Sequence, residues 1–171
     1  MLQLSAMIIK RPILSLRTSS VIGETAGAII NPDNLKIEGF YCQLFGNRSE
    51  LVLLSQDIRD VLPQGVVVND QEVLTDPSEL VRLNNLIAIR FDPLGKQVVT
   101  TNKAKIGKVS DFSVDIESMY IKKLYVTQSL LRNFNGGNLG VDRTQIVEIT
   151  DKKIVINDLE QKAPARAGAM A

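Results

Sequence analysis

The chain has no histidine, no tryptophan and a single cysteine, Cys42, among its 171 residues. Without histidine the commonest general base and metal ligand is missing, which excludes Ser–His and Cys–His catalysis and His-rich metal sites. One cysteine permits neither an internal disulfide nor a zinc cluster. Cys42 follows Phe40 and Tyr41 in an apolar strand pattern, where a buried, inert thiol is expected. Aromatics make up only 5% of the chain, so Ile, Val and Leu must fill the core, and the β-branched pair favours strands. No apolar run approaches the roughly 18–20 residues that span a bilayer, so membrane insertion is not expected. The opening residues carry no basic residue before their apolar run, and Lys10–Arg11–Pro12 stands where a small-residue cleavage site would. A secretory signal is therefore not expected, and a cytoplasmic location is.

Charge is nearly balanced, with 20 basic and 19 acidic residues, so no strong overall attraction to nucleic acid or anionic membrane is expected. The halves differ mildly. Residues 1–90 carry 8 Lys/Arg against 10 Asp/Glu, and residues 91–171 carry 12 against 9.

What the chain does have is an internal repeat. Ile22–Gly23, Ile37 and Tyr41 recur as Ile106–Gly107, Ile121 and Tyr125, a shift of 84. Ile58, Val67, Asn69 and Asp70 recur as Ile146, Val155, Asn157 and Asp158, a shift of 88. The second copy thus holds four extra residues, which fit the turn-rich stretch Asn133–Gly137. Both copies read as short strands. Runs at Ile13–Leu16, Val21–Ile30, Leu35–Tyr41, Leu51–Leu54 and Gly65–Val68 have counterparts at Gln97–Thr100, Lys105–Val114, Met119–Val126, Leu139–Val141, Ile146–Ile149 and Ile154–Ile156. Asn31–Pro32–Asp33–Asn34 carries a type I turn signature, and Ser55–Asp60 reads as a bend. In the third run, Leu35, Ile37, Gly39 and Tyr41 are expected on the buried face. Gly23 and Gly107 each precede a long strand, where glycine permits a bulge or a close backbone approach. Asp70 and Asp158 end both repeats after an asparagine, a position that suits a turn cap.

The fold class that follows is all-β, with two small, closed or nearly closed barrels in tandem over 12–75 and 95–158. A helical linker is expected over 76–94. Asp76 or Thr75 caps it, Pro77 opens it and Glu79 can complete a capping box, while Leu80, Leu83 and Ile87 share a face over one end of the first barrel. A strand-like run, Ile87–Phe91, leads into the second barrel. The tail, 159–171, loses every periodic signal and is expected to be disordered.

The pattern resembles the PRC-barrel, the domain shared by the cytoplasmic part of the photosynthetic reaction-centre H subunit and the C-terminal part of the ribosome maturation factor RimM. The resemblance rests on Ala104–Phe112, Tyr120–Val126 and Ile146–Ile149, and on the closing Ile–Val–x–Asn–Asp. It implies a binding module without an enzymatic role. A counterpart of the H subunit's membrane helix is not expected, nor one of RimM's N-terminal barrel unless another subunit supplies it.

No cofactor or metal is expected. Asp57, Asp60 and Glu50 could serve acid–base work, but charges at a strand end are usually a solvated turn. Lys105, Lys108, Lys122 and Lys123 are the candidate partner-binding cations, able to share one face of a hairpin and meet phosphates, although acidic residues are interleaved. Phe134, in its Asn–Gly–Gly loop, could insert into a partner or fold back on the barrel. Two roles follow: a protein-binding adaptor, and an RNA- or ribosome-associated factor whose partner is ribosomal protein or RNA.

Overall fold

The computed structural model describes residues 1–128 and 137–158. Strand β1 (Leu2–Leu4) comes first, and β2 (Pro12–Ser15), β3 (Ser20–Ile30), β4 (Ile37–Leu44), β5 (Leu51–Leu54), β6 (Ile58–Leu62), β7 (Gly65–Val68) and β8 (Leu74–Thr75) follow it. Helix α1 (Asn84–Ile89) separates these from β9 (Gln97–Thr100), β10 (Lys105–Asp115), β11 (Tyr120–Gln128), β12 (Asn138–Asp142), β13 (Ile146–Ile149) and β14 (Lys153–Ile156).

The strands form two sheets that share a six-strand order, with β8 added to the first and β1 to the second. The first runs β6-β7-β2-β3-β4-β5-β8, and the second runs β13-β14-β9-β10-β11-β12. In each, one parallel pair (β2 with β7, β9 with β14) lies among antiparallel neighbours. The all-β expectation holds. Each sheet is an open path rather than a hydrogen-bonded closed ring. The chain itself turns the corner, because β5 passes into β6 and β12 into β13 through single 3-10 turns, Ser55–Asp57 and Arg143–Gln145.

Four local expectations are corrected. Residues 58–60, expected to finish a bend, join Val61 and Leu62 in edge strand β6, paired with β7. Leu35 has φ 58°, and its amide bonds to Asn31 O at 2.8 Å, so the β3–β4 reversal is a wider turn than the four-residue type I. In β4 the inward set is Ile37, Phe40 and Cys42, not Ile37, Gly39 and Tyr41. A bulge opposite Ile29/Ile30 slips the alternation, and Tyr41 then faces the other side of the sheet. Finally, Ile87–Phe91 is not strand-like. α1 runs to Ile89, and Arg90 ends it in the left-handed region at φ 47°.

That linker lies on the outer face of the first sheet instead of covering a barrel end. Asp76 caps the 3-10 turn Pro77–Glu79 by accepting the Ser78 amide at 2.8 Å. Leu80, Leu86 and Ile87 then pack on Ile29, Tyr41 and Val52. Arg90 fastens the end of α1, with its guanidinium 4.6 Å from the Tyr41 ring centre and 2.6 Å from Glu50.

One apolar core runs through both sheets. Ile13, Ile37, Phe40, Leu53 and Val66 of the first belong to the same buried cluster as Val98, Phe112, Ile121, Leu124 and Ile154 of the second. The arms that precede each unit cross over. β1, which leads into the first sheet, pairs with Ser113–Asp115 of β10 in the second, while the linker that leads into the second sheet packs on β3, β4 and β5 of the first.

Candidate interaction surfaces at the seam

The two sheets meet through equivalent turns. The Ile37 amide donates to Met119 O at 2.8 Å, and the Ile121 amide donates to Leu35 O at 2.9 Å. Applying the shift of 84 converts each bond into the other, which is the reciprocity of a two-fold contact. Leu35 and Met119 are buried and share φ 58°, and Lys36 bridges to Tyr120 between them.

At this seam three cations surround Tyr120. Arg143 lies 4.9 Å from the ring centre, Lys122 5.8 Å and Lys36, from the first sheet, 6.0 Å. Lys36 also approaches Glu38 at 3.9 Å. Asp142 sits beside the group with its carboxyl held below the usual value. The Thr144 amide and hydroxyl stabilise its charged form first, and Lys123 and Lys122 add to this.

A groove of about 860 Å³ adjoins this group and shares Lys36 with it. Its walls come from the β3–β4 turn, from the linker and from Glu117–Met119 of the second unit. Val81 and Ile89 stand at it 74% and 56% exposed. Its carboxylates are Asp33, Glu38, Glu79 and Glu117, and its cations are Lys36 and Arg82. Asp33, Glu79 and Glu117 make no ion pair among the described residues.

The repeated glycines and aspartates work in pairs. A Cβ on Gly23 would lie 2.3 Å from Gln43 O, and one on Gly107 would lie 2.0 Å from Thr127 O, so neighbouring strands cross where no side chain fits. Asp70 accepts from the Gln71 amide at 2.7 Å and from Arg17 at 2.8 Å, while Asp158 accepts from Asn102 and from the Thr101 hydroxyl at 3.3 Å. Each aspartate thus ties the first hairpin turn of its unit to the closing strand. Residues 90–162 match the PRC-barrel domain. No curated protein matches the chain.

Within this PRC-barrel the lysines are spread along the β10–β11 hairpin. In the β10–β11 register Lys108 lies opposite Thr127 and Lys123 opposite Ser113. Lys105 and Lys108 are therefore at one end of the hairpin and Lys122 and Lys123 at the other, five residues along β10, or roughly 17 Å. Only Lys122 and Lys123 lie near the Tyr120 group. Asp57, Asp60 and Glu50 are not assembled into a site either: Glu50 holds Arg90, and Asp60 accepts the Val61 amide at 2.8 Å. Phe134 and the tail over 159–171 lie outside the described residues. Sequence reasoning missed Tyr120, Arg143, Lys36, Val81 and Ile89. The signal for the first three was present, since the repeat shifts pair Lys36 with Tyr120, Glu38 with Lys122 and Ser55 with Arg143.

Proposed function

We propose that the chain is a cytoplasmic, non-catalytic protein-binding adaptor built from two PRC-barrels, over 12–75 and 95–158, joined by the linker 76–94. The reading of the first unit as a PRC-barrel is supported by the six-strand order it shares with the second and by the pairs Gly23/Gly107 and Asp70/Asp158. The observation that carries the adaptor reading is the groove, where two large apolar side chains, Val81 and Ile89, stand in solvent beside unpaired carboxylates. Crosslinking with mass spectrometry in the native cell tests it. The expected result is a small set of proteins crosslinked reproducibly to this chain, and the absence of any specific protein would refute the role.

A second reading, an RNA- or ribosome-associated factor, is favoured by Tyr120 with Lys36, Lys122 and Arg143 around it, an aromatic and cations of the kind that meet nucleic acid. It requires co-sedimentation with ribosomal particles that weakens steeply as salt rises. No association at low salt would exclude it.

A further inference from the structure

The seam groove has no counterpart among the candidate residues read from the sequence, and its chemistry specifies an occupant. We infer that it binds an extended segment of a partner protein in which apolar side chains alternate with lysine or arginine; this rests on the adaptor reading above. Two independent features point that way.

The first is the lining. Val81 and Ile89 offer apolar contact at positions where a surface residue would ordinarily be polar, and Leu80, Leu83 and Leu86 lie half-buried beneath them. Lys36 is already engaged by Glu38, which leaves Asp33, Glu79 and Glu117 against Arg82 alone. Four carboxylates against two cations leave the lining net negative, which raises the local concentration of cations and repels phosphates. A volume of about 860 Å³ lies in the range of sites that enclose a ligand or a short stretch of chain, too small to seat a folded domain.

The second is the chain's own repeat. Across the seam, the positions equivalent to Lys36, Glu38 and Ser55 carry Tyr120, Lys122 and Arg143. In the second unit the chain itself supplies an aromatic ring and cations. In the first unit the same positions carry a lysine drawn onto Glu38, a carboxylate and a small hydroxyl. The chemistry missing from the first unit's positions is the chemistry the second unit provides from within: one large apolar group flanked by positive charge.

The experiment is an NMR titration of the full chain with two synthetic peptides matched in length and in Leu and Val content. One carries lysines at the intervening positions, and the other carries glutamates there. The lysine peptide is expected to shift amides of Glu79–Ile89, Asn31–Lys36 and Glu117–Met119, and to bind more weakly as salt rises. The glutamate peptide is expected to bind at least about tenfold more weakly. Glu79→Gln with Glu117→Gln should weaken the lysine peptide by about tenfold, and Val81→Ser by several-fold. All three residues are exposed, so unchanged circular dichroism checks the fold of each variant. Equal affinity for the two peptides, shifts centred elsewhere or no binding of the lysine peptide would each overturn the inference. The native-cell crosslinking separates the two levels. Partners crosslinked away from the groove would leave the adaptor reading standing without this site, and no partner at all would remove both.

Discussion

Replacing Gly107 by alanine is expected to be the most damaging single-methyl change in the second unit. The new Cβ would sit 2.0 Å from Thr127 O, 2.8 Å from Thr127 C and 3.2 Å from the Gln128 Cα. All three are backbone atoms of β11, so no side chain can swing aside. Ordinary contact needs about 3.4 Å or more, and β10 and β11 must part by more than 1 Å where Gly107 faces Gln128 and Lys108 faces Thr127. Losing two ladder hydrogen bonds costs about 1 kcal/mol each, and crowding adds about 1 kcal/mol or more. The sum is about 3 kcal/mol, a large share of the roughly 5–15 kcal/mol that holds a domain folded. Gly46→Ala is the control. Gly46 has φ 80° and nothing within 4 Å of its would-be Cβ, so only the left-handed backbone penalises it, by about 1–2 kcal/mol. Urea unfolding followed by far-ultraviolet circular dichroism measures both variants. A Gly107→Ala loss no larger than that of Gly46→Ala would refute the close-crossing argument.

Further outcomes follow from the same contacts. Gly23→Ala should behave like Gly107→Ala, since its Cβ would lie 2.3 Å from Gln43 O, and a loss below that of Gly46→Ala in the same assay would break the equivalence of the two units. Asp70, Asp76 and Asp142 have carboxyls held below their ordinary value, by the Gln71 amide, the Ser78 hydroxyl and the Thr144 amide respectively. Because the fold favours their charged forms, the stability they contribute is present above about pH 4 and falls away as pH drops through the lowered values. Urea midpoints followed from neutral to acid pH should decline, and Asp142→Asn should make that decline shallower. Phe112→Ala should cost roughly 3–5 kcal/mol, and because the core is continuous, hydrogen exchange should quicken in both sheets; protection unchanged in the first sheet would contradict the shared core. Burial pushes the Cys42 thiol up to about 12, so iodoacetamide should label it only after unfolding, and rapid labelling of the native protein would contradict its placement.

The strand runs and the duplication were legible because each strand places Ile, Val and Leu inward and the glycines recur at a fixed offset. The misses share a physical cause: they depend on contacts distant in sequence. β6 carries Arg59 and Asp60 on its open side, which hides its alternation. Leu2–Leu4 become a strand only because β10, more than 100 residues away, offers them an edge. Ile87 and Ile89 have strand propensity, yet packing of Leu86 and Ile87 on the outer face of the first sheet and the anchor of Arg90 on Glu50 hold the segment helical. The candidate site was less legible still. Lysines near in sequence were separated by the direction of the hairpin, whereas Lys36 and Tyr120 were brought together by the seam.

The exchanged Ile37–Met119 and Ile121–Leu35 bonds describe a handshake that two identical molecules could make. A pair of identical molecules, however, must present the same chemistry at both ends of its symmetry axis. Covalent fusion lifts that obligation. Here Glu38 and Lys122 occupy matching places with opposite charge, so one chain can set an acidic recess beside a basic rim at a single joint, a polarity closed to any true homodimer.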